Sequence, residues 1–514
     1  INGFGEIYSD TTSAVVLNSI DIISTQEALL SEKEKVEDFR GISIYNFSNP
    51  SLFNSHLKPF ITLNTASKYC IINQFLVFAS NTETLENIIV NYQNQTTISD
   101  RDYYKNLKKN LSNQASILQV INPTSLSQII KSNLNTTFDF KFDNYKTSAL
   151  QFIYDTDFAH FNAIIKQSKP STSDNAVTEM FNIKLDNDVL TNPQFVKNHR
   201  TKQKDIVVQD ISNTLYLISN SGKILWKKQL KGAILGSINQ IDMFKNGRLQ
   251  LAFATANRVY VLDHDGEDVK PFPMTFNDEI TQPLSVFDYD NNKNYRLFIT
   301  QDKNVLVYDS KGKTVKGFNF KNAKETLNTP PQHIRIGRKD YLLFKTDNQL
   351  YILDRRGKTR VTPKTKLSYA NQAIYNYNSD FITTTADGKI ATIDQKGKVT
   401  VSNTNLSENV TLSATTKTLI TQSDNTLTIK DQTLQLDFGS YTPAKLFLIN
   451  NKIYVSTTDK QTQKVMLFDS NAKQQDNFPV YGTSAIDLEN IDKDDHLEFV
   501  TKGESNSILV YKIN

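Results

Sequence analysis

The amino-acid sequence predicts an α+β amino-terminal domain followed by an all-β propeller of eight blades, with seven as the alternative count. Three observations predict it. A strand that runs into an aspartate or serine, a glycine turn and a second strand is written five times in the carboxyl-terminal part of the chain. Another short apolar strand precedes each copy. Upstream of a polar stretch, the pattern changes to hairpins alternating with helix-period segments.

The five strong copies are LYLISNSGKILW (Leu215 to Trp226), VYVLDHDGEDV (Val259 to Val269), VLVYDSKGKTV (Val305 to Val315), LYILDRRGKTR (Leu350 to Arg360) and IATIDQKGKVT (Ile390 to Thr400). Their glycines, Gly222, Gly266, Gly312, Gly357 and Gly397, are spaced 44, 46, 45 and 40 residues apart. Asp263, Asp309, Asp354 and Asp394 each stand three before the glycine, and Ser219 takes that place in the first copy. An aspartate accepts from turn amides and a glycine tolerates positive φ, so each copy reads as a β-hairpin.

Two weaker copies, TLTIKDQTLQL (Thr426 to Leu436) and VMLFDSNAK (Val465 to Lys473), keep Asp431 and Asp469 but lose the glycine, and SILVYKIN closes the chain. The preceding strands run from DIVVQ at Asp205 to EFVTK at Glu498, with first strands such as LSVFDYD (Leu284 to Asp290) and QAIYNY (Gln372 to Tyr377) between units. Eight units across residues 179–514 average roughly 42 residues, the period of a four-stranded blade, whereas seven would need roughly 48. The last unit ends after its third strand. MFNIKLD (Met180 to Asp186) is placed to supply the fourth and remove the open sheet edges.

These hairpins resemble those of the quinoprotein-like propellers, where a strand of the type LYALD leads into a glycine turn. In the enzymes of that group, the resemblance implies a quinone held by tryptophan docking motifs, a calcium site and often a vicinal cysteine pair. The chain offers one tryptophan, Trp226, and one cysteine, Cys70, which lies outside the propeller. The non-enzymatic relatives, which include the propeller lipoprotein of the outer-membrane protein assembly machine, fit better.

Three loops carry oxygen ligands at alternate positions. ENIDKDDHLEF (Glu489 to Phe499) offers Asn490, Asp492, Asp494 and Glu498, a pattern similar to the calcium loops of integrin-type propellers. Ligands at every second position of a tight loop can converge on a hard cation, so these four are the candidate ligands of a structural calcium. FDYDNNKNYRLF (Phe287 to Phe298) repeats the idea with Asp288, Asp290 and Asn292, but Arg296 replaces the acid. IDMFKNGRLQL (Ile241 to Leu251) retains only Asp242 and Asn246. The competing reading of all three is polar turn residues without an ion.

Composition excludes more than it selects. With 58 basic and 54 acidic side chains, the net charge of +4 favours neither nucleic acid nor an anionic membrane. The lone Cys70 excludes an intrachain disulfide, a thiolate zinc site and a c-type haem. No apolar run is long enough to span a bilayer. A first residue of Ile1 rather than Met leaves a signal peptide or lipid anchor expected upstream. The histidines, His56, His160, His199, His264, His333 and His496, show no ligand spacing, and no GxSxG, Walker, GxGxxG or HExxH motif occurs. The basic runs HRTKQK (His199 to Lys204) and RRGKTRVTPKTK (Arg355 to Lys366) lack an aromatic platform and read as loops between blades.

The domains expected are 1–165, a linker at 166–178 and the propeller at 179–514. Within the first, YCIINQFLVFAS (Tyr69 to Ser80) is a hairpin. Ser80 and Glu83 form a capping box before a helix that places Leu85, Ile88, Ile89 and Tyr92 on one face. A second helix starts at Ser99, ASILQVINP (Ala115 to Pro123) returns as a strand, TSLSQII (Thr124 to Ile130) is a short helix, and ALQFIYD (Ala149 to Asp155) is a strand. This order over residues 60–165 resembles an uncharacterised family of bacterial envelope proteins, and residues 1–60 complete the domain or are a truncated half of it. The pairing with a propeller resembles proteins of Bacteroidota, in which DTT (Asp10 to Thr12) would match an O-glycosylation signal.

Two functions follow. One is a non-catalytic, exported or lipid-anchored envelope subunit whose partners are an outer-membrane barrel and its lipoproteins, and whose propeller serves as interaction surface without a cofactor. The alternative is a ligand-binding protein or quinoprotein-type enzyme using the central channel.

Overall fold

The computed structural model describes residues 1–9, 12–32, 34–133, 145–155, 157–167, 177–402 and 406–514. Asp10 and Thr11 of the DTT motif, and 168–176 of the linker, lie outside them. The chain divides into two compact units, Ile1–Ala176 and Val177–Ile513. Among the described residues, no helix is long and apolar enough to cross a membrane.

The first unit is α+β. Strands β1 (Gly3–Tyr8), β2 (Ser13–Asn18), β3 (Lys35–Phe39), β4 (Ile42–Asn46), β5 (Lys68–Ile72) and β6 (Phe75–Ala79) form one antiparallel sheet in the order β1-β2-β6-β5-β4-β3. Period-2 alternation splits its side chains between two cores. Ala14, Ile44, Cys70, Val77 and Ala79 pack against Leu85 and Ile89 of helix α1 (Thr82–Gln93). Val15, Tyr69, Leu76 and Phe78 pack on the other face against Phe47, Phe53 and Ile61. Burial of Leu85 and Ile89 contributes about 1.5–3 kcal/mol each.

The predicted helix start moves by one residue. Asn81, not Ser80, caps α1 by accepting from the Thr84 amide at 2.9 Å, while the Ser80 hydroxyl donates to the Thr65 carbonyl. Tyr92 stays outside the core, where its hydroxyl accepts from Asn73. The segment at Ser99 forms a single turn, Ile98–Asp100, before helix α2 (Asp102–Lys108) begins. A second sheet joins Ile117–Ile121, Ser148–Asp155 and Phe158–Ile165, with a helix over Pro123–Asn133.

The second unit is a ring of eight antiparallel sheets. Blade 1 runs through Gln194–Lys197, Lys204–Gln209, Thr214–Ile218 and Ile224–Gln229. Blade 8 consists of Asp487–Glu489, Leu497–Lys502 and Ser507–Ile513, with Val177–Lys184 as its outermost strand. That last pairing sets Phe181 opposite Val510 and Ile183 opposite Ile508. Blade 3 has three strands, and isolated bridges at Tyr308 to Thr314 and Asn304 to Asn322 stand where its fourth would lie.

Alternation within the strands builds the seams between blades. On Arg258–Leu262 of blade 2, Tyr260 and Leu262 face Leu215 and Leu217 of blade 1, while Val259 and Val261 face Leu297 and Ile299 of blade 3. Corresponding seams join blades 3 to 4, 4 to 5, 6 to 7 and 7 to 8. Between blades 5 and 6, the Asn378 amide donates to the Thr416 carbonyl at 2.9 Å. The ring closes where Ile206, Val208 and Tyr216 of blade 1 meet Ile491, Val500, Ile508 and Val510 of blade 8.

The repeated turn forms as its residues dictate. In blades 2 to 5, one oxygen of Asp263, Asp309, Asp354 or Asp394 accepts from the amides two and four residues on, at 2.7–3.0 Å. The glycines sit at φ between 70° and 84°. Blade 7 builds the same turn with Asp469 although Ala472, at φ 61°, replaces the glycine. Blade 6 departs from the pattern. There Ile429 pairs with Gln432, so Lys430 and Asp431 make a two-residue turn and Asp431 has no counterpart role.

Candidate cation site and the charged end of the ring

In the blades built from four consecutive strands, the loop joining the first two strands and the turn joining the last two lie at the same end of the sheet, because neighbouring strands are antiparallel. The three loops singled out in the sequence gather there.

In blade 8, Asp492, Asp494 and Glu498 each place a carboxylate oxygen within 4.8 Å of the other two. The loop holds itself in shape. The Asp494 amide donates to Asp492 at 3.2 Å, the His496 amide to Asp494 at 2.7 Å, and the Lys493 amide to Asn490 Oδ1 at 2.6 Å. Asn490 Nδ2 donates to the Asp494 carbonyl. Glu498 is fully buried, and its Oε2 accepts from the Ile491 amide at 2.9 Å. Its Oε1 is buried with no hydrogen-bond partner among the described residues. Burial pushes the Glu498 carboxyl up to about 7, with Asp492 and Asp494 adding to the rise and the Ile491 amide and Lys512 opposing it. Lys512, directly opposite Glu498 on the third strand, donates to Asp494 and lies 3.9 Å from Asp492.

The related loops do not converge. Asp288 accepts from the Asn292 and Lys293 amides of its own loop, and Asn292 accepts from the Asn294 amide. Asp290 turns away to Arg355, at 2.8 Å. Arg296 donates to the Tyr295 carbonyl. In blade 2, Asp242 is buried, accepts from the Asn246 and Gly247 amides, and pairs with Lys293 Nζ at 2.5 Å. Burial opposes ionisation there, but Lys293 and the two amides outweigh it and hold the Asp242 carboxyl below its ordinary value.

Sequence spacing missed two groups at this end. His199 and His264 stand edge to face with centroids 5.3 Å apart, and His264 Nε2 lies 3.4 Å from the buried Asp205. Within blade 4, Asp340 collects Arg335 at 2.9 Å, Arg355 at 2.6 Å and His333 at 2.8 Å. Some members of the basic runs are engaged in contacts of this kind: Arg200 with Asp265 at 2.5 Å, Lys204 with Glu489 at 2.7 Å, and Arg360 over the Tyr341 ring. Trp226 is part of the seam to blade 2, its Nε1 donating to the His264 carbonyl at 2.8 Å.

No protein-family model matches the chain. No curated protein matches it either. Among solved structures, the chain is similar to BamB from Moraxella catarrhalis, at 12% identity and a TM-score of 0.43 over 65% of this chain and 97% of that one. It is similar also to BBS1N in complex with ARL6DN, in crystals soaked with lead (10% identity, TM-score 0.43) and with mercury (10% identity, TM-score 0.44), each over 66% of this chain and 97% of the other.

Proposed function

We propose that this protein is a non-catalytic accessory or scaffold subunit of a cell-envelope complex, one that assembles or secretes outer-membrane proteins, with an outer-membrane barrel and lipoproteins as partners. The observation that supports the reading is the way the ring is built. Its blades are joined through seams, and its loops and turns are braced by their own aspartates and by ion pairs between blades. A surface ordered before binding loses little conformational entropy when a partner docks, which suits a subunit whose work is contact. The hairpin likeness to non-enzymatic quinoprotein-like propellers points the same way.

The test is purification from the native host in mild detergent through a carboxyl-terminal tag, with mass spectrometry of what co-purifies. A barrel and its lipoproteins at near-equal amounts support the proposal. Recovery of the protein alone, with a small molecule released on denaturation, replaces it with a ligand of the central channel.

A further inference from the structure

We infer that the first loop of blade 8 is a binding site for one calcium ion, held by Asp492, Asp494 and Glu498. Two independent observations carry this. The three carboxylates converge to within 4.8 Å, a separation from which a small inward shift of the side chains brings one oxygen of each to about 2.4 Å from a single Ca2+. Separately, Glu498 is fully buried on the second strand and leaves Oε1 with no hydrogen-bond partner among the described residues, although a buried carboxylate oxygen without a partner is costly.

Charge counting separates this loop from its relatives. At the blade 2 loop, one carboxylate, Asp242, meets one ammonium, Lys293. Between blades 3 and 4, Asp290 and Asp340 meet Arg335 and Arg355, two against two. In blade 8, three carboxylates meet one ammonium, Lys512, among the described residues. The difference arises at Asp494, where the other loops have Asn246 and Asn292, and four residues later, where Glu498 stands in place of Gln250 and Arg296. A divalent cation supplies the missing charge. An all-oxygen donor set selects a hard ion over zinc, and the irregular loop suits the flexible shell of Ca2+ better than the strict octahedron of Mg2+.

Lys512 has a defined part in this site. Its ammonium stands against Asp494 and near Asp492, so it holds the loop together without metal and must swing aside for the ion. Calcium and the Lys512 ammonium therefore compete for the same oxygens.

The test is calorimetric titration of the full chain with Ca2+ and with Mg2+ after chelator treatment, repeated on Glu498→Gln and Lys512→Met, with circular dichroism confirming each fold. The expected result is one Ca2+ per chain with a Kd between about 10 μM and 1 mM, and Mg2+ weaker by on the order of tenfold. Glu498→Gln weakens Ca2+ by on the order of tenfold or more, and Lys512→Met, which removes the competing charge, tightens it by a similar factor. No saturable binding up to about 10 mM Ca2+ overturns the site. So does a folded Glu498→Gln that binds as tightly as the native chain. Should Glu498→Gln fail to fold, Lys512→Met decides: binding no tighter than native overturns the site.

Discussion

The guanidinium of Arg355, in the last turn of blade 4, lies over the ring of Tyr289, in the first loop of blade 3, 4.9 Å from its centroid. The same group reaches Asp290 at 2.8 Å and Asp340 at 2.6 Å, so one side chain ties together two blades. Arg355→Ala removes all three contacts and leaves the Asp340 carboxylate short of a partner. The expected loss is about 2–3 kcal/mol of stability, read from the denaturant midpoint. Arg355→Lys recovers only part of it, because an ammonium cannot stack and pair in the same plane.

Asp340 makes the ring sensitive to acid. Burial raises its carboxyl, but Arg335, His333 and Arg355 prevail and hold it at about 2, against an ordinary 3.8. A depressed folded value means that stability is fully present above the unfolded value and is lost as pH falls from 3.8 towards 2. The slice is about 2 kcal/mol. Asp340→Asn is expected to be less stable than the native chain at neutral pH by that amount, with the two stability curves converging towards pH 2.

Lys345 acts in the opposite direction. It is fully buried, its Nζ donates to Thr383 at 2.6 Å, and burial pushes it down to about 7 from an ordinary 10.5. Between those values the unfolded chain carries a proton that the folded chain does not, so stability rises with pH from 7 to 10.5, and below 7 the full cost is constant. Lys345→Met removes the buried amine at the loss of one hydrogen bond. It is expected to stabilise the protein at pH 7 by at least about 2 kcal/mol and to flatten the alkaline rise.

The hairpin turn permits a paired comparison. Gly397 sits at φ 84°, and a Cβ there would stand 2.2 Å from the Thr362 carbonyl oxygen. Gly397→Ala therefore meets both backbone strain and a backbone atom, and is expected to cost about 2–4 kcal/mol. Ala472 already occupies the corresponding position at φ 61°. Ala472→Gly relieves strain but deletes a buried methyl, so its effect is expected to stay within about 1 kcal/mol of zero by thermal unfolding.

How much of this was legible in the sequence depends on how local the chemistry is. The hairpins could be read because Asp309 and Gly312 satisfy a turn within four residues, and because the same aspartate turn recurs in blades 2 to 5. The helix start slipped by one because Ser80 and Asn81 are both competent caps, and a tertiary bond to Thr65 engages Ser80. Spacing placed Asp492, Asp494 and Glu498 in one loop, and the fold brings them together. Spacing already set that loop apart from the one at Asp288 and Asp290, through Arg296 in place of Glu498, but it could not show that arginines of the next blade draw Asp290 away. His199 and His264 meet for the same reason, through blade adjacency, and Asp340 and Arg355 meet across strands of one blade, and no local pattern records either. The burial of Lys345 was equally hidden, since it ends a strand whose other residues read as ordinary core.

Everything said of the ring as a stiff surface rests on its closure by Val177–Lys184 against Ser507–Ile513. Hydrogen exchange of the backbone amides, followed by mass spectrometry on the free chain, tests this most directly. In a closed ring the ladder amides of both strands exchange slowly and together, in the same class as the second strands of blades 1 to 4. Rapid exchange across Val177–Lys184 beside a protected Ser507–Ile513 would show an open ring and contradict closure.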